Sequence, residues 1–329
     1  MFNVMMDTWS SLAMSPWNAL SLQFGVLPPA TSDTGRRARE GQFIEGRFDA
    51  DIGSLRYKLF IPSGYKGKPL PLIVMLHGCG QDADDFASGT GMNELAEKLG
   101  CLVLYPEQSR GVNSNRCWSW FDKDHHERGR GEPALIAGVT GKILSEYAVD
   151  RARVCVAGLS AGGAMAVIMG RTYPDLYAAV GCHSGLAHGS ARDLYGALLA
   201  MREGDAPHAP TSAEAGIAVP IIVFHGDMDA TVHIKNGSRV VQQSIDTYSC
   251  HPRNARARSR LKYWEETGEA RGRGFTRAMH RGRQGEIVAE QWTVHGGGHA
   301  WSGGNCRGSY TDSNGPDASR EMVRFFMGR

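Results

Sequence analysis

The sequence predicts an α/β fold, a mostly parallel central sheet with helices on both faces. Short apolar runs of strand length recur along the chain, and segments of helical character separate them. These runs are Leu70–Leu76, Cys101–Tyr105, Val154–Ala157 and Ile221–Phe224. Strands that alternate with helices form parallel sheets, because each helix carries the chain back across one face of the sheet. The 329 residues are 42% hydrophobic and 21% charged, which is enough apolar material for one large core.

Residues 1–40 are expected to form an extension that precedes a single α/β domain over residues 41–329. Large apolar side chains recur in the extension with loosely helical spacing. One interpretation is an amphipathic segment that contacts a hydrophobic surface. The other is an extension that packs on its own domain or is partly disordered. No basic start precedes a long apolar run, so no signal peptide is predicted, and no stretch has the length of a membrane span.

The strands and helices follow from local patterns, taken in order. Gln42–Phe48 and Ser54–Ile61 alternate apolar and polar residues, which predicts an antiparallel pair at the start of the sheet. Continuous apolar runs predict the buried strands Leu72–Leu76, Cys101–Tyr105, Arg153–Ala157, Ala178–Cys182, Pro220–Phe224 and Ile287–Val294. The predicted helices are Met92–Leu99, Ala134–Tyr147, Ala161–Thr172 and Ala318–Phe326.

Two long segments depart from this alternation. Pro106–Gly131 is polar and aromatic, and a loop of that length is usually functional. Arg253–Arg283 carries many arginines and few acids, which predicts a solvated excursion with a positive face; contact with an anionic surface is the alternative. The net charge of the chain is only +2, so no overall field favours nucleic acid as a partner.

The seven cysteines do not predict a metal centre, and no other cofactor is expected. They form no Cys-x-x-Cys pair and no pattern with interleaved histidines. Their odd number leaves at least one free thiol. Cys79 with Cys117, or Cys250 with Cys306, would be disulfides in an exported protein, but spacing alone does not decide this.

Gly158-Leu159-Ser160-Ala161-Gly162 lies directly between an apolar strand and a helix. Gly-x-Ser-x-Gly in this position predicts the nucleophile elbow of the α/β-hydrolase fold. The turn is so tight that the residues two before and two after the serine must lack bulk. It exposes the serine hydroxyl above the sheet, at the positive end of the following helix. Ser160 is therefore the predicted nucleophile.

A serine hydroxyl needs a base to take its proton, and the base needs an acid to orient it. In this fold the acid follows the serine along the chain, and the histidine follows the acid. The strand Pro220–Phe224 leads into a loop that holds two acids, Asp227 and Asp229. Asp229 has the Asp-x-x-Val spacing associated with the acid of such hydrolases. It is the predicted acid, and Asp227 is expected to cap or brace the turn.

The base is expected in the glycine-rich loop after the last predicted strand, Ile287–Val294. His295 stands at the strand end and His299 lies further into the loop, where the glycines give it the freedom to reach the serine. We predict His299 as the base and His295 as a structural histidine.

Two backbone N–H groups are needed to stabilise the charge that develops on the ester oxygen. One is expected from Ala161, the residue after the nucleophile. The other is expected from the loop His77-Gly78-Cys79-Gly80, which follows the first buried strand. Cys79 is the predicted donor, and its thiol has no predicted part in the chemistry.

These motifs together resemble the poly(3-hydroxybutyrate) depolymerase family of esterases, which includes feruloyl and acetylxylan esterase relatives. The stretches that carry the resemblance are Leu76–Gln81, Asn115–Phe121, Gly158–Met165, His225–His233, Gly296–Gly304 and Gly308–Phe326. The resemblance extends from about Phe43 to the C-terminus. The stretch from His299 to Ser319 is more specific than the serine motif alone.

The resemblance implies a carboxylic ester hydrolase that cleaves hydroxyalkanoate esters, as polymer or oligomers, with the triad and oxyanion donors already named. A feruloyl or acetylxylan-type carbohydrate esterase is the alternative, because the two differ only in the pocket. Trp118, Trp120 and Trp301 then resemble apolar walls of the substrate cleft; ordinary core or loop-anchoring aromatics are the alternative. Secreted depolymerases of this kind usually carry an export signal and a polymer-binding domain. Neither is visible here, which favours amorphous polymer, oligomers or soluble esters.

Overall fold

The computed structural model describes residues 41–204, 218–250 and 261–328. The predicted extension, residues 1–40, lies outside this part of the chain. The strands are β1 Gln42–Ala50, β2 Gly53–Ile61, β3 Leu70–Leu76, β4 Leu102–Glu107, β5 Val149–Leu159, β6 Ala179–His183, β7 Ile221–Gly226, β8 Lys262–Ala270, β9 Arg273–Arg281, β10 Ile287–Val294, β11 Trp301–Ser302 and β12 Thr311–Asp312. The helices are α1 Ala83–Thr90, α2 Met92–Leu99, α3 Gly131–Glu146, α4 Ala161–Thr172, α5 Leu194–Glu203, α6 Lys235–Cys250 and α7 Ala318–Met327, with a 3₁₀ turn at Lys123–His126.

The described residues form a ten-stranded sheet in the order β1-β2-β4-β3-β5-β6-β7-β10-β9-β8. The six strands from β4 to β10 in this order are mutually parallel. Antiparallel pairs extend the sheet at both ends. The predicted α/β fold and its antiparallel start are thereby confirmed.

Helices cover both faces of the sheet. Alternate side chains of each strand point to opposite faces, so the apolar strands supply two hydrophobic cores. Along β3, Leu72, Val74 and Leu76 pack into one hydrophobic core, whereas Ile73 and Met75 pack into the other. Side chains of α3, α4, α5 and α6 complete the first core. Side chains of α1, α2 and α7 complete the second. Burial on both faces explains why the central strands are uninterrupted apolar runs in the sequence.

The arginine-rich segment differs from its prediction where the structure describes it. Strands β8 and β9 form an antiparallel hairpin that extends the sheet beyond β10. Two of its arginines are paired with acids: Arg277 lies 2.9 Å from Glu290, and Arg273 lies 2.6 Å from Asp312. The segment is therefore an extension of the sheet and not an excursion from it, whereas the mostly exposed residues of β8 agree with the predicted solvated face. The partner acids lie on other elements and are not visible in the local charge pattern.

Parallel strands place their carboxyl ends at one edge of the sheet, where open α/β sheets form their binding crevices. Loops that follow β3, β5, β7 and β10 carry Cys79, Ser160, Asp229 and His299, respectively. The topology thus brings all four predicted positions to the same edge. None of the described helices is both long and apolar enough to cross a bilayer.

Candidate active site

Ser160 lies in a sharp turn between β5 and α4. Its backbone has φ 55° and ψ −119°, a conformation that residues other than glycine rarely adopt. Its N–H donates a hydrogen bond of 2.8 Å to the carbonyl oxygen of His183 at the end of β6. Strain of this kind persists only where the surrounding structure enforces it, and it is concentrated at functional sites. The predicted nucleophile therefore lies at the N-terminus of α4 in a strained turn.

Two glycines allow this turn to pack against β3. A Cβ atom added at Gly162 would lie 2.0 Å from the carbonyl oxygen of Leu76, and one added at Gly158 would lie 2.6 Å from the same oxygen. Real Cβ atoms cannot approach backbone so closely, so the spacing Gly-x-Ser-x-Gly is a packing requirement. The close approach of Gly158 and Gly162 to Leu76 also places the turn beside the start of the loop that contains Cys79.

Asp229 and His299 are hydrogen-bonded to each other in a buried setting. Oδ2 of Asp229 lies 2.8 Å from Nδ1 of His299, and the carboxylate is fully shielded from solvent. Oδ1 accepts hydrogen bonds from the backbone N–H groups of Thr231 and Val232. A carboxylate only accepts, so Nδ1 of His299 carries the proton and Nε2 is left as the basic nitrogen.

The electrostatics of Asp229 favour its ionised form. Burial by itself raises the pKa of Asp229. Hydrogen bonds from His225 and His299, and the positive charge that His299 carries when it is protonated, outweigh burial and hold the pKa well below its usual range. Asp229 is thus a permanent anion that can orient and stabilise a protonated His299.

The competing pair, Asp227 and His295, forms a separate contact. Oδ2 of Asp227 lies 2.9 Å from Nδ1 of His295, and Oδ1 accepts a hydrogen bond from the backbone N–H of Gly296. The other ring nitrogen of His295 lies 2.9 Å from the hydroxyl of Thr276 on β9. Both ring nitrogens are engaged and the pair is partly exposed, which fits a brace between loops. These contacts favour Asp229 and His299 as the reactive pair.

His183 joins the serine turn to the loop that carries His299, and sequence reasoning missed it. Its carbonyl oxygen accepts from Ser160, and its Nε2 accepts a hydrogen bond of 3.0 Å from the N–H of Ser302. Its ring stacks on Trp301 and Phe224. Burial lowers the pKa of His183 to about 3, so the ring stays neutral and keeps an acceptor at Nε2. Its position at the carboxyl end of a strand beside the elbow is the only sequence signal for this role.

The predicted oxyanion loop is held by hydrogen bonds on either side of Cys79. The N–H of Gly78 donates to Oε1 of Gln81, and the N–H of Gly80 donates to the carbonyl oxygen of Asn115. Within the described residues, neither these contacts nor those of the turn occupy the N–H of Cys79 or that of Ala161. Cys79 and Ala161 therefore stay the predicted donors to a developing oxyanion.

Cys79 and Cys117 form a disulfide, with a Cα–Cα distance of 4.3 Å. Of the two pairs left open by the sequence, this one is formed, whereas Cys250 and Cys306 are free and exposed. The disulfide ties the tryptophan-containing loop to the oxyanion loop, which gives the sulfur of Cys79 a structural role and leaves the prediction that it takes no part in the chemistry unchanged.

The three tryptophans are buried, which favours loop-anchoring aromatics over walls of the substrate cleft, the other alternative that the sequence left open. Their exposed fractions are 0% for Trp118, 5% for Trp120 and 1% for Trp301. The indole N–H of Trp118 donates to the carbonyl oxygen of His77, and that of Trp301 donates to the hydroxyl of Ser319. The indoles anchor the loops around the site from the core side. Burial of this kind depends on tertiary packing and has no local sequence signal.

Comparison with known proteins fits this geometry. The family described as esterase PHB depolymerase matches residues 55–260 of the chain. The chain belongs to this family. Membership in the esterase PHB depolymerase family confirms the resemblance noted from its motifs.

Two relatives that are similar to this chain are named for different ester substrates. Poly(3-hydroxyalkanoate) depolymerase C of Paucimonas lemoignei is 29% identical over 261 residues, which cover 77% of this chain and 60% of that protein. Feruloyl esterase B of Neurospora crassa is 34% identical over 136 residues, which cover 41% of this chain and 45% of that protein. The chain thus spans about half the length of these relatives.

A solved structure confirms the fold. Acetyl xylan esterase from Aspergillus awamori superimposes with a TM-score of 0.59 at 20% identity, covering 74% of this chain and 89% of that one. At this identity the likeness concerns the α/β-hydrolase fold alone.

Proposed function

We propose that the protein is a serine esterase that hydrolyses short-chain hydroxyalkanoate esters through an acyl-enzyme. In this proposal Ser160 is the nucleophile, His299 the base and Asp229 the orienting acid. The observation that carries it is the buried hydrogen bond between Asp229 and His299, at the same sheet edge as the strained turn of Ser160. A neutral imidazole held by an ionised carboxylate is the arrangement that activates a serine hydroxyl.

The reaction follows from these groups. Nε2 of His299 takes the proton of the Ser160 hydroxyl as its oxygen attacks the ester carbonyl, and Asp229 stabilises the imidazolium that forms. The carbonyl oxygen becomes an oxyanion and accepts hydrogen bonds from the N–H groups of Cys79 and Ala161. His299 then protonates the leaving alkoxide, and an alcohol departs. Water repeats the sequence on the acyl-enzyme, which releases the acid and restores the serine.

Hydroxyalkanoate esters are the proposed substrate class because the relative whose match covers 77% of this chain is named a poly(3-hydroxyalkanoate) depolymerase. Oligomers or amorphous polymer are the proposed forms.

A carbohydrate esterase that releases feruloyl or acetyl groups is the second candidate. The match to feruloyl esterase B favours it, at a higher identity over a shorter stretch. Both candidates share the triad and the oxyanion donors, so only the acyl and alcohol pockets separate them.

A hydrolysis panel tests the proposal. The purified chain is given a 3-hydroxybutyrate trimer, amorphous polymer granules, methyl ferulate, acetylated xylan and p-nitrophenyl acetate, with Ser160→Ala as the control for background. We expect turnover of the trimer at a kcat/KM well above that of methyl ferulate. Preference for methyl ferulate or xylan would replace the first candidate by the second. Unchanged turnover by Ser160→Ala would overturn the serine mechanism itself.

A further inference from the structure

His225 is a second buried histidine beside Asp229, and the reaction described above does not use it. It lies near the end of β7, four residues before Asp229, and is fully buried. Its Nε2 lies 2.8 Å from the carbonyl oxygen of Val232 and 3.5 Å from Oδ2 of Asp229. The ring thus contacts both ends of the turn that presents the proposed acid.

The surroundings fix the tautomer of His225. A carbonyl oxygen only accepts hydrogen bonds, so Nε2 carries the proton. Nδ1 has no hydrogen-bond partner within the described residues, and it faces α6, where a Cβ atom added at Gly237 would lie 2.9 Å from it. A proton on Nδ1 would be a buried donor without an acceptor in this part of the chain. The N–H of Nε2 is therefore the one that lies beside Val232 and Asp229.

Asp229 consequently accepts three hydrogen bonds and has a fourth, longer contact with the N–H of His225. Oδ1 accepts from the backbone of Thr231 and Val232, and Oδ2 faces the rings of His299 and His225. His183 is the further titratable group near the three, and burial keeps it neutral. The carboxylate thus has a fixed orientation. The N–H groups of Thr231, Val232 and His225 offset part of the negative charge that would otherwise act on His299 alone.

We infer that His225 is a positioning residue for the proposed triad: its Nε2–H holds the Val232–Asp229 turn and limits the negative charge that Asp229 presents to His299. The inference rests on the proposed function, because it acts through Asp229 on the base. The inference gives His225 an effect on catalysis. Without it, His225 would be only a buried residue of β7.

Removal of this N–H has a definite consequence for the pH profile. Without it, Asp229 attracts the proton on His299 more strongly, so a higher pH is needed to keep His299 in its basic form. The acid limb of kcat/KM therefore moves to higher pH, by about half a pH unit or more. Looser orientation of the acid also lowers kcat, whereas KM changes little, because His225 is buried away from the substrate.

The test compares His225→Gln with His225→Asn in the full chain. The amide nitrogen of glutamine reaches the position of Nε2, whereas that of asparagine reaches only the position of Nδ1. We expect His225→Asn to lose about tenfold or more in kcat and to shift the acid limb upward, and His225→Gln to restore most of both. His295→Asn is the matched control, because that histidine also contacts an aspartate but lies outside the triad; its acid limb should stay in place.

Equal losses in His225→Asn and His225→Gln, with an unmoved acid limb, would reduce His225 to packing and overturn the inference. Failure of the proposed function is distinguishable, because it appears first in Ser160→Ala and His299→Ala. If those variants retain turnover, the triad is wrong. If they are inactive and the two His225 variants behave alike, only the positioning role is wrong.

Discussion

Ser160 holds a backbone conformation that its own side chain disfavours, and this gives the proposed nucleophile a stability signature independent of activity. Glycine adopts positive φ without strain, whereas alanine keeps the Cβ atom that causes it. We expect Ser160→Gly to unfold at a higher temperature than Ser160→Ala, with a difference of about 1 kcal/mol after the greater entropy of glycine in the unfolded chain is counted. Thermal unfolding of the two variants measures it, and both should lose about 10⁴-fold or more in turnover. Equal melting temperatures would contradict the strain argument.

The two aspartates of the loop after β7 have different partners and should respond differently to the same change. In Asp229→Asn the amide cannot hold His299 in the reactive tautomer, so kcat should fall by about 10⁴-fold with little loss of fold. Asp227→Asn weakens a partly exposed contact with His295, so it should cost about 1 kcal/mol or less in stability and spare most activity. Steady-state kinetics on one soluble ester compares them directly. Reversed severities would transfer the acid to Asp227 and the base to His295.

At the scale of elements, the loop after β4 is fixed to the oxyanion loop by a disulfide and by backbone contacts. Cys117 bonds to Cys79, and the carbonyl oxygen of Asn115 accepts from Gly80. Cys117→Ala should lower the free energy of unfolding by about 2–4 kcal/mol. It should also lower kcat, because the N–H of Cys79 loses its fixed position. Cys250→Ala, which removes an exposed free thiol, is the control and should change neither quantity.

The β11 segment carries Trp301 into the core beside His183, so its substitution should act through the fold. The ring of Phe86 makes a T-shaped contact with the indole of Trp301, and the indole N–H donates to the hydroxyl of Ser319. We expect Trp301→Ala to cost about 3–5 kcal/mol in stability. Turnover of p-nitrophenyl acetate and of a hydroxybutyrate oligomer should then fall by similar factors. A loss confined to the oligomer would restore Trp301 to the substrate cleft.

At the scale of the whole molecule, the parts that the sequence predicts well are those with local causes. The elbow around Ser160 is one, because a strand, two glycines and a helix in sequence are enough to define it. In the sequence, the choice between Asp227 and Asp229 rests on the Asp-x-x-Val spacing alone. In the folded protein each of the two aspartates contacts a histidine, so the presence of a histidine partner does not separate them. The hairpin β8–β9 escapes prediction because acids on other elements pair with its arginines. Burial of the tryptophans escapes it for the same reason, since packing partners are distant in the chain.

Buried neutral histidines also give the whole molecule a dependence of stability on pH. Burial lowers the pKa of His77 to about 4, of His183 to about 3 and of His188 to about 4, against an ordinary value of 6.5. Below pH 6.5 the unfolded chain therefore binds protons that the folded protein excludes. The stability contributed by this exclusion is complete above pH 6.5 and is lost progressively as the pH falls toward 4.

We expect the free energy of unfolding to fall by about 2 kcal/mol per buried histidine between pH 7 and pH 5. Urea unfolding at steps of half a pH unit measures the slope. His188→Gln is the informative variant, because glutamine can still donate to the carbonyl oxygen of His126, which lies 3.1 Å from Nε2, but does not titrate. Its stability at pH 7 should be close to that of the parent, and its slope should be shallower, since one of the titrating groups is removed. If the slope of His188→Gln equals that of the parent, the loss at low pH comes from groups other than these buried histidines.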